Sequence, residues 1–221
     1  MSPFFDLRKF AIAVAMFASI AFGSAVAARA DTLSFNLTNP NSGLGPYPPP
    51  YASVLINRTS TTTATITFTG LSSGAYNYLL GGQGMVGVNV NASSFTVVIN
   101  SVSGTLADAS VAGAGNEDGF GSFNLTIDNF DGFTHADSTV TFTVTNTSGT
   151  WANAASVLTN NATGHSAGAH IFVVVTATGA NPATGYASNG TNPAVPEPAS
   201  MILLGTGLLG AAAGLRRRRH K

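Results

Sequence analysis

Residues 139–144 read Thr139-Val140-Thr141-Phe142-Thr143-Val144, with an apolar side chain at every second position. Successive side chains of a β-strand point to opposite faces, so this run buries its apolar side chains and leaves its threonines on the other face. The same period of two occurs in Thr63–Phe68 and in Phe123–Ile127. Alternation of this kind is typical of antiparallel sheets with one solvated face.

Further strands are predicted at Leu33–Thr38, Ala52–Asn57, Met85–Val90, Phe95–Val102 and His170–Thr178. Clusters of Gly, Asn and Ser separate these runs at the spacing expected for a sandwich of two sheets. The sequence therefore predicts an all-β domain over residues 31–180, folded as an antiparallel, jelly-roll-like β-sandwich. Residues 181–194 are rich in Gly, Asn and Pro and are predicted to form a flexible linker.

The charge of this central region excludes one class of partner. Between residues 31 and 194 there are seven acids and one base, Arg58, which gives a formal net charge of −6. Nucleic-acid binding needs clustered Lys and Arg, so no nucleic-acid partner is expected. The chain has no cysteine, so its stability has to come from packing and backbone pairing.

The N-terminus has the pattern of an export signal. A basic start at Arg8 and Lys9 precedes an apolar run over residues 10–22, and small residues stand at Ala28 and Ala30. These features predict a signal peptide over residues 1–30, export by the Sec route and cleavage before Asp31, with Ala25-Val26-Ala27 as a second possible cleavage site.

The C-terminus has the pattern of a membrane anchor. Residues 199–215 carry no charge, and as a helix they would span about 25 Å, near the lower limit for crossing a bilayer. The sequence thus predicts a single C-terminal transmembrane helix and a membrane partner. A basic stop at residues 216–221 follows, and its arginines are expected to remain in the cytoplasm, with the domain outside. They are Arg216, Arg217, Arg218 and Arg219.

Together with a short motif before it, this tail resembles a known signal. The motif is Val195, Pro196, Glu197 and Pro198, and an apolar helix and an arginine cluster follow it. Residues 195–221 in this order resemble a PEP-CTERM sorting signal. The resemblance implies an exported protein of a Gram-negative bacterium, processed at the motif by an exosortase and associated with biofilm or exopolysaccharide. The alternative interpretation is a plain single-span anchor.

Five of the seven acids lie between Glu117 and Asp137. Hard oxygen ligands in exported β-domains suit calcium, so Asp118, Asp128 and Asp131 are candidate ligands of one ion. No other cofactor is expected. The alternative interpretation is ordinary Asp and Asn turn chemistry.

Three patterns resemble catalytic sites without their expected context. Residues 164–168 match G-x-S-x-G, but a strand follows where a hydrolase needs a helix. Residues 82–87 match G-x-G-x-x-G, and there too a strand follows. The acids between Glu117 and Asp137 would have to converge in a cleft to serve a glycosidase. The sequence therefore predicts a protein that is not an enzyme.

Threonines alternate along two predicted strands, at residues 61–69 and 139–147. Such rows form a flat hydroxyl-bearing face, although Thr also favours strands for its β-propensity alone. Together with the export features, the resemblance to a PEP-CTERM sorting signal implies a non-enzymatic cell-surface or extracellular-matrix protein. The alternative function is a carbohydrate-binding module or, less favoured, an ice-binding one; a solvent-exposed aromatic strip would favour the carbohydrate-binding alternative.

Overall fold

The computed structural model describes residues 31–104, 108–130 and 132–190. Thirteen strands form in chain order: β1 Asp31–Leu37, β2 Asn39–Pro40, β3 Ala52–Arg58, β4 Thr63–Gly70, β5 Ser72–Ser73, β6 Tyr76–Leu80, β7 Val86–Val88, β8 Phe95–Val102, β9 Ser110–Glu117, β10 Gly121–Asp128, β11 Thr139–Asn146, β12 Ala167–Val175 and β13 Ala183–Ser188. Short 3-10 turns lie at Phe133–His135 and Ala154–Ser156. The prediction of an all-β domain is confirmed.

The strands form two sheets in which every pair is antiparallel. Sheet 1 has the order β1-β3-β4-β11-β8, and sheet 2 has the order β2-β13-β12-β7-β10-β9, with β6 also paired to β12 and β5 to β6. The register follows the period of two in the sequence, because Val140 lies opposite Phe68 and Phe142 opposite Ile66. The buried side chain of each strand therefore meets a buried side chain of its neighbour.

One hydrophobic cluster joins the two sheets. It includes Ile66 and Phe142 from sheet 1 and Leu125 and Ile171 from sheet 2, all of them at most 1% exposed. Trp151 also belongs to this core, and its indole Nε1 donates to the backbone oxygen of Asn91 at 2.8 Å. The polar atom of the largest side chain is thus satisfied inside the domain.

The domain extends beyond its predicted C-terminal boundary. The sequence predicts a linker over residues 181–194, but β13 lies within that range and pairs along β12, with His170 opposite Tyr186. Its sequence, Ala-Thr-Gly-Tyr-Ala-Ser, has low β-propensity, and the ladder with β12 supplies the hydrogen bonds that hold it extended. The strand β9 was missed for a similar reason, since Gly and Ala dominate it.

The tip of the β9–β10 hairpin lies on the outer face of sheet 2, which is the face opposite the shared core. Although β10 and β7 separate β9 from β12 in the sheet, β9 contacts β12 directly. Asn41 Nδ2 donates to Asp118 Oδ2 at 3.2 Å, and Asn161 Nδ2 donates to the oxygen of Phe120 at 2.9 Å. These two amides hold the hairpin tip, residues 117–121, against the sheet.

The signal peptide, the sorting motif, the transmembrane helix and the basic stop all lie outside the described residues. Within the described ranges, no helix is both long and apolar enough to cross a membrane.

Candidate functional site

A polar pocket of about 220 Å³ opens on the outer face of sheet 2. One wall belongs to the β9–β10 hairpin and the other to the loop before β7, with β13 beside it. Its polar and aromatic lining consists of Gln83, Asn116, Thr126, Asp128 and Tyr186. The fold therefore brings together side chains from three segments that are distant in sequence.

Hydrogen bonds fix the shape of this pocket. Asp128 Oδ1 accepts from the backbone nitrogen of Gly84 at 2.8 Å, and the Tyr186 hydroxyl donates to the oxygen of Gln83 at 3.1 Å. The Tyr186 ring stacks on the His170 imidazole, with ring centres 4.5 Å apart and planes 13° apart. A rigid aromatic ring beside amide and carboxylate groups suits a neutral, hydroxyl-bearing ligand.

Behind the pocket lies a fully buried carboxylate. Glu117, the last residue of β9, is 0% exposed, and neither of its carboxylate oxygens has a hydrogen-bond partner among the described residues. Burial raises the pKa of Glu117 well above its ordinary value, because a charged carboxylate loses its hydration there. The side chain is therefore held in its neutral, protonated form over a wider pH range than an exposed glutamate.

Two glycines make the space that Glu117 occupies. A Cβ at Gly87 would lie 2.2 Å from Glu117 Oε1, and a Cβ at Gly168 would lie 1.9 Å from Oε2. The two glycines lie opposite each other on β7 and β12. They are also the last residues of the G-x-G-x-x-G and G-x-S-x-G patterns, so each of these two glycines has a packing role beside Glu117.

The serine and histidine of the second pattern belong to a buried polar cluster. Ser166 is 3% exposed, and its Oγ accepts from Asn189 Nδ2 at 2.9 Å. His165 Nδ1 lies 2.9 Å from the oxygen of Asn189 and 3.0 Å from Ser188 Oγ. The carbonyl oxygen of Asn189 can only accept, so the short contact requires a proton on His165 Nδ1. With that proton in place, His165 Nδ1 cannot act as a base toward Ser188. β12 begins directly after Ser166, where a nucleophile elbow would require a helix.

The calcium candidates have separate partners. Asp118 lies in the hairpin turn and accepts from Asn41. Asp128 lies at the far end of β10 and accepts from the backbone nitrogen of Gly84. Asp131 lies outside the described residues. Among the side chains that the structure describes, no group of three or more Asp, Glu, His or Cys is close enough to hold a metal ion. The calcium site remains a prediction.

The predicted threonine rows lie side by side on the outer face of sheet 1. Thr67 and Thr141 hydroxyls are 3.1 Å apart, and those of Thr65 and Thr143 are 3.4 Å apart. These cross-strand pairs bond each other, so part of their hydrogen-bonding capacity is used within the sheet.

Sequence reasoning missed both Glu117 as a buried group and Tyr186 as a pocket residue. In the sequence, Glu117 lies in the acidic segment predicted to form turns and Tyr186 lies in the predicted linker, and neither residue is part of an alternating apolar run. Gly87 and Gly168 could have indicated this site, because a glycine inside a strand often marks a close approach by another group. That the approaching group is the Glu117 side chain is visible only in the folded structure.

One comparison with known proteins identifies part of the chain. The family model of the PEP-CTERM protein-sorting motif matches residues 194–219. No curated protein and no solved structure matches the chain. The C-terminal segment therefore carries the sorting motif that its residue order predicts, which indicates an exported, membrane-associated protein sorted through an exosortase.

Proposed function

We propose that this chain is a non-enzymatic component of the cell surface or extracellular matrix, associated with biofilm or exopolysaccharide. The Sec route delivers it, and its C-terminal transmembrane helix tethers it until an exosortase processes it near Pro196–Pro198. The observation that carries the proposal is the sorting-motif match at residues 194–219. We propose that the domain is a jelly-roll-like sandwich. A folded, acidic module, with seven acids and one base over residues 31–194, is compatible with a role at the cell surface.

Mass spectrometry of the mature protein from its native cells tests this proposal. We expect an N-terminus at Asp31 and a C-terminus near the motif, with residues 201–221 lost. Replacing Glu197 with Ala should retain the tail if the motif is recognised, whereas Glu117→Ala, outside the motif, should leave processing unchanged. Recovery of the intact arginine cluster from mature protein would instead establish a plain anchor.

A second candidate function is carbohydrate binding at the pocket on sheet 2. The specific observation is the Tyr186 ring, held by its stack on His170 and its bond to Gln83, beside the side chains of Asn116 and Asp128. Aromatic faces bind the apolar faces of sugars, and amides bind their hydroxyls.

Retention on immobilised neutral and acidic polysaccharides tests this candidate. Tyr186→Leu and Asn116→Ala should reduce retention, whereas Thr65→Ala on the outer face of sheet 1 should not. Equal retention of all three variants would exclude the pocket. Retention lost only with Thr65→Ala would favour the threonine face.

The calcium proposal concerns Asp118, Asp128 and Asp131 and has its own test. Binding to the native state alone stabilises it by about 2.7 kcal/mol at a hundredfold excess over Kd. Chelation with EDTA should therefore lower the unfolding midpoint, and Asp118→Asn should abolish that response. An unchanged midpoint after chelation would exclude a structural ion.

A further inference from the structure

The strands that border the two sheets differ in how their free backbone edges are protected. An exposed edge strand offers unpaired N–H and C=O groups to another chain, and proteins blunt such edges with charge, proline, bulges or covering segments. Sheet 1 is bordered by β1 and β8, and the main path of sheet 2 by β2 and β9; the two-residue β5, paired to β6, ends a side branch of sheet 2.

Three of these strands carry a recognisable protection. The turn Ala154–Ser156 contacts β1, and the nitrogen of Ala154 donates to Asp31 Oδ2 at 3.0 Å. β2 has only two residues, one of them Pro40. β9 has an irregular register and contains Gly113 with a φ of +80°.

Among the described residues, β8 lacks these protections over most of its length. Its eight residues, Phe-Thr-Val-Val-Ile-Asn-Ser-Val, include no charge, no proline and no glycine. The register against β11 shifts between Thr141 and Phe142, which makes Asn100 the extra residue and leaves Phe95–Ile99 regular. β9 contacts β8 but does not pair with it.

Exposed apolar side chains mark the same border. Val98 on β8 is 61% exposed and Val111 on β9 is 45% exposed, and these two strands contact each other. The inward side chains of β8, among them Val97 and Ile99, already pack against the shared core. A strand added beside β8 would cover Val98 and extend both faces of sheet 1.

Residues Phe95–Ile99, the regular part of β8, can pair with the same residues of a second copy of the chain. Antiparallel pairing of two copies centred on Val97 sets Phe95 opposite Ile99 of the second copy and Thr96 opposite Val98 of the second copy. Opposed residues of an antiparallel pair share a face, so inward side chains meet inward ones and outward meet outward. Since the strand has no charge, no like-charge repulsion opposes the pairing, although the domain as a whole is acidic.

We propose that β8 is an assembly edge, along which a second copy of this chain adds in antiparallel orientation and joins the two copies of sheet 1 into one continuous sheet. The proposal goes beyond sorting and does not depend on exosortase processing. Main-chain hydrogen bonds would supply the affinity, and the match of inward and outward side chains would set the register.

Cysteine cross-linking of the full chain in exporting cells tests the assembly edge, because the native sequence has no cysteine. In the proposed pairing, the two copies of residue 98 lie about 8 Å apart, from a strand spacing of about 4.8 Å and an offset of two residues. Val98→Cys treated with a short bis-maleimide should give a band of twice the monomer mass. Adding Thr96→Lys to it should abolish that band, since a lysine protects an edge.

Leu55→Cys is the matched control. Leu55 is 42% exposed on the same sheet, but β3 lies between β1 and β4 and has no free edge. A membrane-impermeant maleimide should label both cysteines, which establishes export separately from assembly. Equal dimer yields from both variants, or labelled Val98→Cys without any dimer, would overturn the proposal.

A measurement without cysteine keeps the proposal testable if a variant is poorly exported. Sedimentation of the detergent-solubilised wild-type chain should show a dimer, and Thr96→Lys should shift it to the monomer. A wild-type monomer at all concentrations tested would contradict the assembly edge.

Discussion

Two of the described carboxylates are buried, one before β11 of sheet 1 and one at the end of β9 of sheet 2, in opposite environments. Asp137 is 2% exposed, and its oxygens accept from Ser103 Oγ at 2.9 Å, from the nitrogen of Gly104, and from Asn129 Nδ2 at 2.7 Å. Glu117 is 0% exposed and accepts no hydrogen bond among the described residues. The same chemical group is thus satisfied at one position and unsatisfied at the other.

Because of this difference, one buried carboxylate stabilises the fold and the other destabilises it. Around Asp137, the carboxylate ties together the end of β8, the loop after β10 and the start of β11, so its hydrogen bonds stabilise the fold. Around Glu117, desolvation of the carboxylate opposes folding at neutral pH. Substitution of the two residues should therefore change stability in opposite directions.

Asp137→Asn should give the largest effect. The amide cannot accept from all three donors, so a buried donor is left unpaired and the free energy of unfolding should fall by about 3 kcal/mol. Urea unfolding followed by circular dichroism measures this loss. Asp128→Asn, which touches a single backbone nitrogen, is the control and should lose much less; equal losses would contradict the network.

Gly168→Ala should come next. Its new Cβ would overlap Glu117 Oε2, and Gly87 blocks the other side of the carboxylate, so the free energy of unfolding should fall by about 2 kcal/mol. Combined with Glu117→Ala, the same change should be far less destabilising, because the overlap disappears. Additive losses in the double variant would show that the glycine is required for another reason.

Glu117→Met should stabilise the domain at pH 8 by about 1 kcal/mol, since it removes an unpaired buried carboxylate. The pKa of Glu117 is raised in the folded state, so its contribution to stability is full below the unfolded pKa of about 4.3 and is lost as pH rises toward the folded pKa. The gap between variant and wild type should therefore shrink as pH falls from 8 to 4. Thermal melts across this range measure it, and a gap independent of pH would mean that Glu117 does not titrate.

Asp31→Asn should have the smallest effect. The Asp31 side chain is 37% exposed and pairs with Arg58 Nε at 3.0 Å. An ion pair in partial contact with solvent contributes about 0.5 kcal/mol, and salt screens it. The loss should be present in dilute buffer and absent in 1 M salt; a loss unchanged by salt would point to its bond with Ala154 instead.

The fold was predictable where the alternation of side chains was strong. The threonine-rich strands β4 and β11 were predicted because each apolar side chain has a polar neighbour on either side. β9 and β13 were not, because Gly113, Gly115 and Gly185 weaken the pattern, and pairing with a neighbour holds those strands extended. The local sequence pattern indicates which side chains a strand buries, but it does not indicate which strand pairs with it.

The candidate site was less predictable than the fold. Its parts come from the loop before β7, the β9–β10 hairpin and β13, and only the folded sheet brings these segments together. The sorting motif could be recognised because its residues are contiguous. The space that Gly87 and Gly168 leave for Glu117 could not be recognised, because these glycines are 81 positions apart and meet only through the pairing of β7 with β12.

Asn189 has a mechanical consequence for a tethered protein. Its Oδ1 accepts from the nitrogens of Ser166 and Ala167, both at 3.1 Å, and its Nδ2 donates to Ser166 Oγ. Tension applied through the C-terminal tail would reach this clamp before it reached β13. The load would fall on three hydrogen bonds at the start of β12, a central strand of sheet 2. These bonds of Asn189 would therefore have to break before such a load could separate β13 from β12.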